Sequence, residues 1–187
     1  MTEIIDPRRL LIGVVKILAK LKIPYLVTGG MAVFVWGRPR FTADVDIVVK
    51  LKSNDIDKLA ENLEALSEAS YIDKDSIKQA LMRHGEFNFI DGFTGVKVDF
   101  WAIGESQFDK SQLERRVAKN ILGQKVYFIS PEDLILSKLL WHEKSESSRH
   151  LEDIESIFKI QKKLDLRYLR KWAKIQSMTK ILGSLIK

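Results

Sequence analysis

Three aspartates in apolar, β-branched runs are the residues of this sequence best suited to chemistry. Asp44 and Asp46 alternate with valine and isoleucine in one predicted strand, and Asp99 lies in a later one. Alternate residues of a strand project from the same face, so Asp44 and Asp46 are predicted to lie side by side. Neighbouring carboxylates repel each other unless a cation lies between them, and Mg²⁺ favours one or two carboxylates together with substrate phosphates. The three aspartates therefore predict a metal site.

A glycine pair, Gly29 and Gly30, follows an apolar run and is separated by thirteen residues from Asp44. Taken alone, the pair is typical of an ordinary turn between a strand and a helix. Such a turn can also present bare backbone N–H groups to phosphate oxygens. Followed by a carboxylate pair, it predicts chemistry on a nucleoside triphosphate. Asp-x-Asp also occurs in glycosyltransferases that bind nucleotide sugars through a metal, so that class remains an alternative.

The glycine pair, the spacer and Asp44-Val45-Asp46 together resemble the signature of the nucleotidyltransferase superfamily related to DNA polymerase β. Asp99 is similar in position and setting to the third carboxylate of that family. The region from Ser130 to Ile154 is similar to the helices of small nucleotidyltransferases, which include the minimal enzymes and the toxin-type enzymes of abortive-infection systems. The resemblance spans roughly residues 23 to 158, and its three-part motif is more specific than its helical part.

The resemblance implies a Mg²⁺-dependent enzyme that transfers a nucleoside monophosphate from a nucleoside triphosphate to an acceptor hydroxyl and releases pyrophosphate. Two ions are expected, with Mn²⁺ as a substitute. Asp44 and Asp46 would bind both ions, and Asp99 would complete the ion nearer the acceptor and help to deprotonate its hydroxyl. An inactive binding module or antitoxin of the same fold is the alternative from outside enzymology.

Further residues are candidates for binding the nucleotide beside Gly29 and Gly30. Arg40 precedes the first carboxylate strand, and its guanidinium matches phosphate oxygens in a bidentate manner. Thr42 lies on the same alternating face as Asp44 and Asp46. Lys138, within a predicted helix, either extends its ammonium to solvent or points it at the triphosphate. Asp153 either orients one of these cations or faces water.

The implied fold class is α+β: a small mixed β-sheet with helices packed on one face, followed by a C-terminal helical bundle. Residues 1–130 are expected to form the nucleotidyltransferase core and residues 131–187 the helical segment. Hydrophobic periodicity predicts about four or five strands. The predicted strands cover 23–27, 45–49, 87–90, 96–101 and 125–129, with the third and fourth forming a hairpin. The predicted helices cover 7–21, 29–37, 53–67, 75–82, 131–143, 150–163, 166–175 and 178–186.

The composition of the chain limits the kinds of partner and the cellular compartment that we expect for the protein. There is no cysteine, which excludes disulfides and thiol catalysis, and no run approaches the roughly 18 apolar residues of a membrane span. A cytoplasmic protein with no membrane partner is therefore expected. Residues 159–187 contain nine basic residues and one acid, a charge of +8, whereas the whole chain carries +6 and the remainder therefore −2. This basic end is either a set of solvated helix faces or a track for a polyanion. RNA, including tRNA, is the acceptor that it favours ahead of a protein.

Overall fold

The computed structural model describes residues 6–186, in which nine α-helices and seven β-strands are formed. The helices are α1 (Pro7–Lys20), α2 (Gly29–Trp36), α3 (Ile56–Glu64), α4 (Lys74–Arg83), α5 (Gln107–Arg115), α6 (Pro131–Ser145), α7 (Ser148–Ile160), α8 (Leu166–Ile175) and α9 (Thr179–Leu185). The strands are β1 (Tyr25–Val27), β2 (Val45–Val49), β3 (Tyr71–Ile72), β4 (Glu86–Ile90), β5 (Lys97–Ala102), β6 (Val117–Ile121) and β7 (Gln124–Phe128).

All seven strands belong to one mixed sheet in the order β3-β4-β5-β2-β1-β7-β6. The pairs β2–β5 and β1–β7 are parallel, and the other neighbours are antiparallel. The predicted fold class is confirmed, as is the hairpin formed by β4 and β5. The sheet is larger than the four or five strands expected from the sequence, because β3 and β6 complete its two edges.

One face of the central strands is the hydrophobic core. Val45, Ile47 and Val49 of β2 lie opposite alternate residues of β5 that are also almost fully buried, namely Val98, Phe100 and Ala102. Because side chains alternate along a strand, Asp46 and Asp99 project from the opposite face. The sheet therefore separates a dry core from a face on which carboxylates are available.

Several helices begin at capping residues and first-turn prolines that are visible in the sequence. Asp6 accepts a hydrogen bond from the Arg8 backbone N–H at the start of α1, where Pro7 is the first helical residue. Ser130 caps α6 in the same way ahead of a first-turn proline, and Asp165 caps α8. These caps satisfy backbone N–H groups that have no partner within the helix. The predicted starts of these three helices are confirmed within a residue or two.

The elements that the sequence analysis missed, β3, α5 and β6, have weak local signals. Strand β3 has two residues, and α5 buries only Gln112 and Leu113, so it lacks an apolar stripe. Strands β6 and β7 are joined by Leu122 and Gly123, both at positive φ (48° and 83°). That two-residue turn normally carries Asn-Gly, and leucine is uncommon at a positive φ.

The C-terminal helices pack onto the sheet domain through specific hydrogen bonds. The Gln161 side chain, at the end of α7, donates to the Trp36 carbonyl at 2.7 Å. Trp36 is itself fixed within the sheet part, because its indole N–H donates to the Ile129 carbonyl at 2.8 Å. Gly37 passes so close to α7 that a Cβ there would lie 2.4 Å from Ser156 Oγ. None of the helices within residues 6–186 is long and apolar enough to cross a membrane.

Candidate active site

The register of β2 and β5 places two of the predicted carboxylates beside each other. Asp46 and Asp99 are direct partners across these parallel strands, and Asn88 of β4 is the partner of Asp99 on its other side. The three polar side chains therefore form a row across the non-core face. Asp44 lies one residue before β2 and is exposed.

The carboxylate of Asp46 is held in an unfavourable electrostatic environment. Burial raises its pKa, the negative charge of Asp99 raises it further, and the charge of Asp44 acts in the same direction. The ammonium of Lys138 and the Gly30 backbone N–H oppose this shift without cancelling it. Asp46 is therefore a site at which a second cation would be strongly favourable.

Asp99 is 7% exposed, and its two oxygens differ in their environment. Oδ2 forms an ion pair with Lys97 Nζ at 2.8 Å, whereas Oδ1 is buried without a hydrogen-bond partner. Glu86 lies on the same face of β4, and burial followed by the charge of Asp99 raises its pKa. The sequence analysis missed Glu86 and Lys97. The signal that would have found them is the alternation of polar residues with buried ones in β4 and β5.

The carboxylates of Asp46 and Asp99 are of the chemical type that binds a divalent cation. Within the described residues, no three His, Cys, Asp or Glu side chains are placed closely enough to form a metal-binding group as they stand. Nevertheless, Asp46 and Asp99 face each other, and the unpartnered Oδ1 of Asp99 is a buried acceptor, which is costly unless something binds it. Carboxylate oxygens are the ligands that Mg²⁺ and Mn²⁺ prefer.

The glycine pair packs directly against the carboxylate strand. Gly29 has φ +60°, and a Cβ at this position would lie 1.8 Å from Asp46 Oδ2. A Cβ on Gly30 would lie 2.5 Å from Thr42 Oγ1. The two glycines therefore bring the start of α2 against Asp46 and Thr42. Thr28, the N-cap residue of α2, makes no capping hydrogen bond with its side chain.

Arg40, Lys138 and Asp153 form a cluster in which one carboxylate holds two cations. Arg40 Nε and Nη2 donate to the two oxygens of Asp153, both at 3.0 Å, and Lys138 Nζ lies 2.8 Å from Asp153 Oδ2. Burial raises the pKa of Asp153, but the bonds from Arg40 and Lys138 outweigh it and hold the pKa below its ordinary value. Burial lowers the pKa of Lys138.

The geometry of this cluster decides between the alternatives that the sequence analysis left open for Lys138 and Asp153. Asp153 does not face water, since it is 5% exposed and orients both predicted cations. Lys138 is equally buried and does not extend to solvent. The charge of Lys138 acts on Asp46, whereas two donors of Arg40 are already engaged by Asp153. All the predicted site residues thus lie around β2, β5 and the start of α2, with Arg40 the one most committed to a contact within the protein.

The chain resembles known proteins both in sequence and in structure. The family model described as "Nucleotidyl transferase AbiEii toxin, Type IV TA system" matches residues 16–178. No protein of curated function matches the chain in sequence.

Three of the solved structures that resemble the chain are an antibiotic-resistance factor, an adenylyltransferase and a nucleotidyltransferase-like protein. The antibiotic-resistance factor ANT(2'')-Ia aligns over 95% of this chain and 91% of its own, with 14% identity and a TM-score of 0.56. The lincosamide antibiotic adenylyltransferase LnuA aligns over 84% of this chain and 98% of its own, with 16% identity and a TM-score of 0.54. An antigenic nucleotidyltransferase-like protein from Paracoccidioides brasiliensis aligns over 96% and 92%, with 21% identity and a TM-score of 0.54.

These structural similarities show a common fold, and at such low identities they show no more than that. The family model is stronger evidence, because it covers most of the 187 residues and includes the glycine pair, all three aspartates and the Lys138–Asp153 pair. This chain belongs to the AbiEii family of nucleotidyltransferase toxins.

Proposed function

We propose that this protein transfers a nucleoside monophosphate from a nucleoside triphosphate to an acceptor hydroxyl, with Mg²⁺ as cofactor and pyrophosphate as the second product. The observation that carries the proposal is the pairing of Asp46 with Asp99 across β2 and β5, next to a buried lysine that a carboxylate orients. Membership of a nucleotidyltransferase family supports the class of reaction.

Asp46 and Asp99, with Asp44 one residue before β2, are the residues that would hold two Mg²⁺ ions or Mn²⁺ in their place. When bound, such ions neutralise the charge that develops on the attacking and leaving oxygens of an in-line displacement. The row of carboxylates supports this assignment, since the raised pKa of Asp46 and the unpartnered Asp99 Oδ1 both call for positive charge.

The chain's own residues position the reactants. The Asp99 carboxylate accepts the proton of the acceptor hydroxyl as the new bond forms between the hydroxyl oxygen and the α-phosphorus. The bond from the α-phosphorus to the bridging oxygen breaks, and its electron pair leaves with pyrophosphate. Lys138 uses one donor on Asp153 and keeps its other N–H groups for the phosphates. Gly29, Gly30 and Thr42 place the start of α2 beside the same phosphates, and Arg40 adds charge behind Lys138.

The acceptor that we favour is RNA, including tRNA, ahead of a protein or a small molecule. The structures of ANT(2'')-Ia with adenylyl-2''-tobramycin and of LnuA with lincomycin contain antibiotics. In this chain, by contrast, helix α8 presents four exposed basic residues at positions i, i+3, i+4 and i+7, which is one helix face. They are Arg167, Arg170, Lys171 and Lys174. Because LnuA is described as an adenylyltransferase, ATP is the first nucleotide to test.

The decisive experiment incubates the full chain with each α-labelled triphosphate, Mg²⁺ and total RNA, and follows transfer of the label. Asp46→Asn should abolish transfer, because a neutral amide is a poor ligand for a hard cation. Asp57→Asn is the matched control, since Asp57 is exposed and its carboxylate pairs with Lys74 at the surface.

Three outcomes separate the alternatives. Label on RNA that Asp46→Asn removes and Asp57→Asn leaves intact supports the proposal. Label on protein or on small molecules in a whole-cell extract supports the reaction but replaces the acceptor. Absence of transfer and of triphosphate binding with every nucleotide contradicts the proposal and favours an inactive binding module.

A further inference from the structure

Lys97 is a cation on the carboxylate face of the sheet to which the proposed reaction gives no role. It is the first residue of β5, and Asp99 follows two residues later, so both side chains project from the same face. Lys97 Nζ lies 2.8 Å from Asp99 Oδ2. One oxygen of a carboxylate that we assign to the metal is therefore paired with an ammonium of the chain itself.

The ammonium of Lys97 also lies close to other carboxylates. The ladder of β2 and β5, continued by one residue towards the start of both strands, makes Lys97 the neighbour of Asp44. The hydrogen bond to Asp99 raises the pKa of Lys97, burial opposes this shift, and the charges of Asp44 and Glu86 act in the same direction as Asp99. Lys97 is thus a charged side chain among three carboxylates.

Lys97 is held much less firmly than Lys138, the other lysine of this region. The side chain of Lys97 is 40% exposed, whereas that of Lys138 is 6% exposed and its partner Asp153 is equally buried. An exposed ion pair contributes little to stability, because water solvates the ammonium when the pair opens. Opening a buried pair is far costlier. Lys97 can therefore leave its carboxylate at low cost, and Lys138 cannot.

The two oxygens of Asp99 are both withheld from an ion in the orientation that the structure shows. Oδ1 is buried, so the exposed part of this side chain, which is 10% in all, does not lie on that oxygen. Oδ2 is paired with Lys97. Among the residues that the structure describes, no three acidic or histidine side chains form a metal-binding group as they stand. An ion shared by Asp46 and Asp99 thus requires that the pair with Lys97 opens.

We infer that Lys97 is an internal counter-ion of the carboxylate site, whose ammonium neutralises Asp99 until a divalent cation displaces it. The inference rests on the proposed function for the assignment of the metal to these carboxylates. It adds a regulation of that site. Mg²⁺ favours one or two carboxylates together with substrate phosphates, so an ion that arrives with the triphosphate displaces Lys97 more readily than an ion that arrives alone.

The test measures binding of Mn²⁺ alone to the full chain, without nucleotide or acceptor. The electron paramagnetic resonance signal of hydrated Mn²⁺ is lost when the ion binds protein, so the signal reports the free ion directly. Lys97→Met should bind Mn²⁺ about tenfold more tightly than the wild type, because a positive charge next to the ion is removed and Asp99 Oδ2 is released. Lys97→Gln should give the same gain with a polar side chain.

Two variants serve as controls. Lys97→Arg keeps the positive charge and should bind Mn²⁺ no more tightly than the wild type. Lys78→Met removes an exposed lysine that pairs with Asp75 at 2.9 Å on α4, away from the carboxylate face. Its affinity for Mn²⁺ should equal that of the wild type, which would show that the gain depends on where the charge lies.

Equal affinity for Mn²⁺ in the wild type, Lys97→Met and Lys97→Gln would overturn the inference, even if label transfer to RNA is observed. Weaker binding by the two variants would overturn it as well, since Lys97 would then hold Asp99 in place for the ion. Binding of Mn²⁺ by none of these proteins would overturn both the inference and the metal assignment. Tighter binding by the variants, without transfer from any triphosphate, would contradict the proposed reaction only.

Discussion

Gly29 is the residue of the site with the least room for substitution. Its φ of +60° is in the left-handed region that favours glycine, and a Cβ would meet the carboxylate of Asp46 at 1.8 Å. A side chain at this position would therefore strain the backbone and would also push the carboxylate of Asp46 out of its place. The glycine pair is consequently needed for the placement of Asp46 as well as for any contact with phosphate.

We predict that Gly29→Ala lowers the free energy of unfolding by about 1–3 kcal/mol and abolishes transfer. Backbone strain accounts for part of the loss of stability, and displacement of Asp46 accounts for the loss of activity. The measurements are denaturant unfolding and label transfer to RNA.

Gly123→Ala is the control for backbone strain alone, because Gly123 has φ +83° and a Cβ there would have no heavy atom within 4 Å. It should be destabilised by about 1 kcal/mol and remain active. Equal activity in both variants would contradict the role assigned to Gly29.

Asp153 joins three segments that are distant in the chain. It lies in α7, Lys138 lies in α6, and Arg40 lies in the loop before β2, 113 residues away. The Asp153 carboxylate holds the side chains of Arg40 and Lys138, and Lys138 is almost fully buried. Removing its charge would leave that ammonium without its partner, which is costlier than loss of a surface ion pair.

We predict that Asp153→Asn lowers the free energy of unfolding by about 3 kcal/mol at neutral pH and reduces transfer. The pKa of Asp153 is lowered in the folded protein, so its contribution is complete above the ordinary value of 3.8 and is lost as pH falls below it. The difference in stability between wild type and variant should therefore shrink below about pH 4.

Denaturant unfolding at a series of pH values measures this difference. Asp75→Asn is the comparison, because Asp75 forms an exposed pair with Lys78 and its removal should have little effect at any pH. A gap between wild type and Asp153→Asn that stays constant into acid would contradict the assigned ion pairs.

Helix α8 concentrates the basic charge of the C-terminal segment on one face. Helix α7 ends at Ile160 and Asp165 caps α8, so the basic residues on either side of Asp165 do not lie on one continuous helix. The positions upstream of the cap, Lys159, Lys162 and Lys163, are exposed as well. The compact unit to test is therefore the α8 face formed by Arg167, Arg170, Lys171 and Lys174.

We predict that replacing these four residues by glutamine weakens RNA binding and lowers the slope of log affinity against log salt by up to about 3. Each lost phosphate contact removes about 0.7–0.9 from that slope. Binding titrations between low and moderate salt measure the change. Glutamine at Lys16, Lys20, Lys58 and Arg83 is the control, because it removes the same charge from α1, α3 and α4. Equal salt slopes for the two quadruple variants would exclude α8 as an RNA surface.

The parts of the chain before and after the predicted boundary between residues 130 and 131 contact each other through several buried side chains. Arg115 of α5 pairs with Glu132 of α6 at 3.0 Å, and the Tyr168 hydroxyl of α8 donates to the buried Asp133 at 2.6 Å. The rings of Trp101 and Trp141 meet edge to face across the same boundary, with centroids 5.0 Å apart. Buried polar contacts of this kind are lost together when one of the two parts unfolds.

We therefore predict a single cooperative unfolding transition for the whole chain. Helix content measured by circular dichroism and the fluorescence of the four tryptophans should change at the same denaturant concentration. Two of the tryptophans lie before the boundary and two after it, so fluorescence reports on both parts. Separate transitions would show that residues 131–187 fold independently of the core.

The sequence alone determined the elements whose patterns are local. Strands β1, β2, β5 and β7 and the capped helices follow from apolar periodicity, prolines and capping residues. The glycine pair and three aspartates identified the superfamily because their spacing along the chain is itself the signal.

Only the tertiary structure decided how those residues meet. Strand register, which is a long-range property, set Asp46 opposite Asp99 and added Lys97 and Glu86 to the same face. The packing of α7 onto the loop before β2 committed Arg40 and Lys138 to Asp153. Spacing in sequence carries no record of such contacts, because they arise from surfaces that approach each other only when the core is buried.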